Sequence, residues 1–216
     1  MKTIGVLDDR QGERETTMSI IARNLNDPTW KVVEVPLLAS PARVVEWLTQ
    51  EEVNVLVADQ VLSDASHQQN VTYQGTEVVK EVRRHIPDMP IYMITAHPDN
   101  PDVEPNLGRM EEMVTRGQLG KQAPFLVPRM MRAGETFERR HRESLGRLSA
   151  LSQKNATGSL TKPERAELKS LQMALALADT SDSREHLLPE LEKEVKKLAD
   201  LQARAAKLLN KPRAKT

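Results

Sequence analysis

Over its first 133 residues the chain alternates between two apolar patterns. Short, dense runs at residues 3–7 ("TIGVL"), 30–35 ("WKVVEV"), 53–59 ("VNVLVAD"), 90–96 ("PIYMITA") and 111–116 ("EEMVTR") read as strands, the last of them the weakest. Between them, apolar residues recur at helical spacing. Ile20, Ile21 and Leu25 belong to a helix expected from Thr16 and stopped by "NDP" at 26–28. Residues 40–50 ("SPARVVEWLTQ") place Ser40 at a cap and Pro41 in the first turn, and residues 75–86 ("GTEVVKEVRRHI") form a third helix. Residues 124–133 ("PFLVPRMMRA") read as the last helix of this part.

Strands alternating with helices of about ten residues predict βαβ units and a parallel sheet covered on both faces. The expected fold is therefore doubly wound α/β with five parallel strands. Such sheets bind ligands in the crevice at the carboxyl ends of their strands. Asp8 and Asp9 end the first strand, Asp59 the third, Thr95 the fourth and Arg116 the fifth, so the fold would gather all five at one edge. Taken singly, each residue has an ordinary reading: an acid after a strand is commonly a turn or cap residue, and threonine is a good strand former. Suitable residue types on four strand ends, in order, are much harder to explain that way.

Beyond residue 133 the pattern becomes helical and strand-free. Residues 136–153 lead through "KNATGS" into residues 160–179, where Thr161 and Glu164 have capping-box spacing and Pro163 lies in the first turn. A helical hairpin is expected. In the last segment Leu188, Leu191, Val195, Leu198, Gln202, Ala205 and Leu209 follow at steps of three and four, a coiled-coil-like stripe that needs a partner surface. The preceding helix, a second copy of the chain in a homodimer, or another protein could supply it. The expected division is an α/β domain at 1–133 and a helical, coiled-coil module at 134–216.

Charge supports that division. The chain has 31 basic and 31 acidic residues, yet residues 1–133 carry 14 and 19, net −5, leaving 17 and 12, net +5, for the remainder. There is no cysteine, which excludes disulfides, thiolate metal sites and a cysteine nucleophile. No apolar run reaches the roughly 20 residues needed to span a bilayer, and no signal-peptide pattern opens the chain, so a cytoplasmic protein without a membrane contact is expected. No "GxxxxGK" loop is present. Aromatic residues are 3%, too few for a base-stacking platform, and no basic recognition helix follows "LTKPERAELKSL", so nucleic acid is not an expected partner. The five histidines, His67, His85, His97, His141 and His186, lack metal-binding spacing, although His67 and His97 could flank the acidic crevice.

The segments "IGVLDDR", "VNVLVADQVLSD", "GTEVVKEVRRHIPDMPIYMITAH" and "EEMVTRG" resemble the receiver domain of two-component response regulators. The resemblance covers about residues 1–133 and implies a flavodoxin-like receiver fold. It also implies that Asp8 and Asp9 hold Mg²⁺, that Asp59 accepts a phosphoryl group from a histidine kinase or other phosphodonor, and that Val61 supplies a backbone carbonyl to the metal. Thr95 would be the hydroxyl that contacts the phosphoryl group, and Arg116 would stand where the family has lysine. Independently of the family, three converging carboxylates repel one another, and a hard cation relieves the repulsion while keeping waters for a phosphate to replace.

The sequence also departs from the family. Arginine presents a planar fork in place of a compact ammonium. The loop at 60–74 is long and lacks the usual proline, and Met113 stands roughly where the family's aromatic switch would be. The leading expectation is a non-enzymatic signalling phosphoprotein in which Mg²⁺-dependent phosphorylation of Asp59 controls how the C-terminal helices bind a target protein. A degenerate receiver acting as an adaptor in a larger assembly is the alternative, and a DNA-binding regulator the weaker third.

Overall fold

The computed structural model describes residues 1–62, 71–96, 98 and 104–178. Its strands are β1 (Lys2–Leu7), β2 (Trp30–Glu34), β3 (Val55–Ala58), β4 (Ile91–Thr95) and β5 (Glu112–Thr115). Its helices are α1 (Gln11–Arg23), α2 (Pro41–Gln50), α3 (Gly75–His85), α4 (Leu119–Ala156) and α5 (Lys162–Ala178), with short 3₁₀ turns at Glu104–Arg109 and Arg116–Gln118. All neighbouring strands pair in parallel in the order β2-β1-β3-β4-β5, the flavodoxin-like order. The expected five-stranded, doubly wound sheet is present.

Strand alternation divides the core in two. Ile4 and Val6, Val55 and Val57, and Tyr92 and Ile94 point to one face, where Ile21 of α1 and Ala123, Leu126, Val127 and Met130 of α4 cover them. Leu7, Leu56, Ala58, Ile91 and Met93 point to the other, against Val44 and Leu48 of α2 and Val78, Val79 and Val82 of α3. Both faces of the central strands are thus apolar, which is why these strands read as unbroken hydrophobic runs.

Local signals set the helix starts. The Ser40 hydroxyl accepts from the Arg43 amide at 3.4 Å, with Pro41 opening α2. Thr161 and Glu164 cap α5 reciprocally: the Thr161 amide donates to Oε2 of Glu164 at 3.0 Å, and the Glu164 amide donates to the Thr161 hydroxyl at 3.4 Å. α1 begins at Gln11, earlier than the apolar spacing suggested, because its first turns face the polar edge of the sheet and carry few apolar residues. The backbone amide of Arg10, just ahead of this helix, donates to Oδ1 of Asp8 at 2.9 Å.

The largest difference from expectation concerns α4, a single helix of 38 residues. It contains both "PFLVPRMMRA" and the polar segment after it, so the expected boundary at residue 133 falls inside a continuous helix. Composition changes there because the helix leaves the sheet, not because it ends. Gly134 marks a close approach: a Cβ at this position would lie 2.6 Å from Cη2 of Trp30 and 2.7 Å from Cγ2 of Val55. Beyond it, Phe137 is partly buried against the α2–α3 side of the core, and Leu151 is fully buried with Leu160 and with Leu168 of α5. Arg147 reaches Glu167 across the two helices through two hydrogen bonds of 2.7 Å, and Lys154 reaches Glu164 at 2.6 Å. The stripe at Leu188 to Leu209 lies outside the described residues.

Candidate functional site

The order β2-β1-β3-β4-β5 reverses direction between β1 and β3, and the crevice of such a sheet opens beyond the carboxyl ends of these two strands. Asp8 and Asp9 follow β1, and Asp59 follows β3. The ladder runs one residue past β3, with the Asp59 amide donating to the Leu7 carbonyl at 2.8 Å. Backbone pairing therefore fixes how closely the acids approach. One oxygen from each of the three buried carboxylates lies within 4.8 Å of the others.

Arg116 reaches the same place from the end of β5, where it opens the 3₁₀ turn that leads into α4. Its Nη2 donates to Oδ2 of Asp8 at 2.7 Å and stands 3.2 Å from Oδ1 of Asp59. Its Nη1 faces α1, 3.3 Å from Oε2 of Glu13 and 3.5 Å from the Thr17 hydroxyl. The guanidinium thus spans three carboxylates with its side chain only 13% exposed. Arg10 adds a second cation, Nη2 lying 3.8 Å from Oδ2 of Asp59. Arg14 donates to the backbone carbonyl of Asp8 at 2.7 Å and pairs with Glu34 at 2.9 Å.

Burial dominates the electrostatics of Asp59. Loss of solvent pushes its carboxyl up to about 6; Arg116 works against this, Asp8 reinforces it, and the Gln60 amide and Arg10 oppose it more weakly. The carboxylate form still prevails at neutral pH. For Arg116, burial alone would weaken the cation, but Asp59, Asp8 and Glu13 together outweigh it and raise the pKa. The group remains a fixed positive charge.

The remaining expected site residues fall as follows. Thr95 is fully buried at the end of β4, in register with Thr115 of β5. Val61 lies two residues beyond Asp59 in the loop that leaves β3 and is partly buried. Met113 is partly buried against the α2–α3 side of the core. His67, His97 and His186 lie outside the described residues; His85 Nδ1 sits 3.0 Å from the Glu81 carbonyl, and His141 stacks on Phe137. An open cleft of about 390 Å³, lined in part by Leu48, Val53, Met89, Phe137 and His141, lies at the opposite, amino-terminal edge of the sheet, away from the acids.

Two features of the acidic edge are absent from the sequence reading. Arg10, Glu13 and Thr17 face the site from the loop and helix after β1, and their only sequence signal is proximity to Asp8 and Asp9 at helical spacing. Gly75, the first residue of α3, packs directly on the peptide after β3. Its amide donates to the Gln60 carbonyl at 2.9 Å, and a Cβ added to it would overlap the Asp59 carbonyl oxygen. A glycine opening an otherwise regular helix was the available signal.

No protein-family model matches the chain, and no curated protein does. Among solved structures, the chain is similar to the signal receiver domain of an HD domain-containing protein from Pseudomonas fluorescens Pf-5, at 9% identity and a TM-score of 0.49, over 62% of this chain and 98% of that one. It is also similar to a CheY-like response regulator receiver domain protein from Methanospirillum hungatei JF-1, at 15% identity and a TM-score of 0.47, over 65% of this chain and 98% of that one. A third similarity is to the Mn²⁺-bound form of response regulator Rcp1, at 13% identity and a TM-score of 0.44, over 59% of this chain and 95% of that one.

Proposed function

We propose that the chain is a response-regulator-like signalling protein in which Asp59 accepts a phosphoryl group. The observation that carries this reading is the convergence of Asp8, Asp9 and Asp59 within 4.8 Å at the switch point of the sheet, with Arg116 at the same edge and Thr95 ending β4. An ionised Asp59 oxygen attacks the phosphorus of a small acyl phosphate or a phosphohistidine. A P–O bond to Asp59 forms as the bond to the leaving carboxylate or imidazole breaks, and the leaving group keeps the electron pair. Arg116 and Arg10 supply positive charge beside the incoming phosphoryl oxygens, and the Thr95 hydroxyl is a further donor at that edge. Three carboxylates with clustered oxygens fit a hard divalent cation such as Mg²⁺; Asp8, Asp9, Asp59 and the Val61 carbonyl would hold it, and it would neutralise the phosphoryl oxygens. In this reading the protein is a phosphoryl acceptor rather than a catalyst with turnover, and its signal passes through the C-terminal helices to a protein partner.

Intact-protein mass spectrometry after incubation with acetyl phosphate, with and without Mg²⁺, tests the proposal. A single phosphoryl adduct in the wild type that is missing in Asp59→Asn supports it; identical adducts in both proteins rule Asp59 out. Because the attacking group must be ionised, adduct formation without Mg²⁺ should fall as pH drops through about 6, and a cation bound beside Asp59 should move that fall to lower pH.

A second reading is favoured by Arg116. With its guanidinium already on Asp8 and Asp59, the acidic edge is neutralised from within, as suits an adaptor that is never phosphorylated. That reading predicts no adduct under any donor and unchanged partner binding in Asp59→Asn.

A further inference from the structure

Relief of carboxylate repulsion has two candidate agents at this edge, and they need the same oxygens. A divalent cation would require Asp8 and Asp59, while Arg116 Nη2 is 2.7 Å from one and 3.2 Å from the other. Both are cations drawn to the same buried oxygens, so each weakens the hold of the other on Asp8 and Asp59. We infer that Arg116 is a built-in competitor for the divalent cation, so that loading the site requires its guanidinium to leave Asp8. This rests on the proposed function, since it concerns the same acidic edge.

The side chain has somewhere to go. Nη1 already stands 3.3 Å from Glu13 and 3.5 Å from Thr17, both on α1, and the Glu13 side chain is 40% exposed while that of Asp8 is 3% exposed. Arg116 therefore has an inner set of partners and an outer one, joined by rotation of one side chain. The choice of arginine matters. A planar fork engages Asp8, Asp59 and Glu13 together, whereas the single ammonium of a lysine concentrates its charge at one point and leaves another carboxylate free for metal.

Mn²⁺ uptake by the full chain, measured from the loss of the free aqua-ion signal in electron paramagnetic resonance, tests this without any phosphorylation readout. Arg116→Lys and Arg116→Met should each bind Mn²⁺ at least about tenfold more tightly than the wild type, with Met the tighter because it removes the competing charge altogether. Circular dichroism checks that each variant is folded, and Arg116→Lys keeps the test valid if Arg116→Met does not fold. Glu13→Gln, which weakens the outer position, should shift Mn²⁺ affinity the other way. Equal or weaker Mn²⁺ binding by Arg116→Lys would overturn the inference. Absence of uptake in every variant would overturn it together with the metal part of the proposed function. Tighter uptake by Arg116→Lys without any phosphoryl adduct would sustain the inference and remove the phosphoacceptor reading.

Discussion

Two arginines in this protein hold carboxylates at the same distance in very different settings. Arg116 meets Asp8 at 2.7 Å at the carboxyl edge of the sheet, and Arg147 meets Glu167 at 2.7 Å between α4 and α5. The Arg116 side chain is 13% exposed and that of Asp8 3%, whereas those of Arg147 and Glu167 are 46% and 42% exposed. Water screens the second pair and solvates each partner well when it is alone; the first pair has no such refuge. Equal geometry therefore carries unequal energy, and substitutions can measure the difference.

The greatest effect is expected from Arg116→Met, which leaves buried carboxylates without their main counter-ion. A loss of about 3–5 kcal/mol is expected in urea unfolding at neutral pH with chelator present. A loss no larger than that of the Arg147 variants would show that the edge admits more water than its burial suggests. Asp59→Asn should act in the opposite direction. The folded carboxyl titrates at about 6 against 3.8 when unfolded, so the folded state holds its proton more tightly. The wild type therefore loses stability as pH rises from about 4 to 6, and above that range it carries a constant penalty on the order of 3 kcal/mol. The asparagine variant should be more stable by that order at pH 7, equal near pH 3, and flatter between; parallel pH profiles for the two proteins would contradict this.

Gly75→Ala should cost about 2 kcal/mol, because overlap with the Asp59 carbonyl outweighs the gain of up to about 1 kcal/mol from better helix propensity. An unchanged midpoint would mean that α3 can back away from Asp59 freely. Smallest of all, Arg147→Met and Glu167→Gln should barely move the unfolding midpoint, and salt should erase what remains.

The fold was legible because each central strand is buried on both faces, so "TIGVL", "VLVA" and "IYMIT" stand out as dense apolar runs, and strand-helix alternation leaves few topologies. The site was legible in part for the same reason: once strand ends are known, Asp8, Asp9, Asp59 and Arg116 share an edge. What the sequence withheld is contact. Nothing in a lone Arg116 says that it bridges Asp8, Asp59 and Glu13, since those partners lie about a hundred residues away for α1 and depend on how β5 lies beside β4. The absence of a break at residue 133 was also hidden, because most burial along α4 stops near Gly134 while the helix itself runs on. A composition shift reports solvent, and helices can cross that line intact.

The continuity of α4 has a mechanical meaning. The 3₁₀ turn that begins with Arg116 runs directly into this helix, so the residue at the acidic edge is joined without a loop to the 38 residues of α4, which carry Pro124 and Pro128 between the edge and Gly134. Beyond Gly134 the helix continues for about 33 Å, at about 1.5 Å per residue, with Phe137 still resting on the core. A change of about 5° in the direction of this distal part would carry Ala156 about 3 Å, roughly the reach of a hydrogen bond, so a bend too slight to disturb the sheet is large enough at the far end of α4 to make or break a contact.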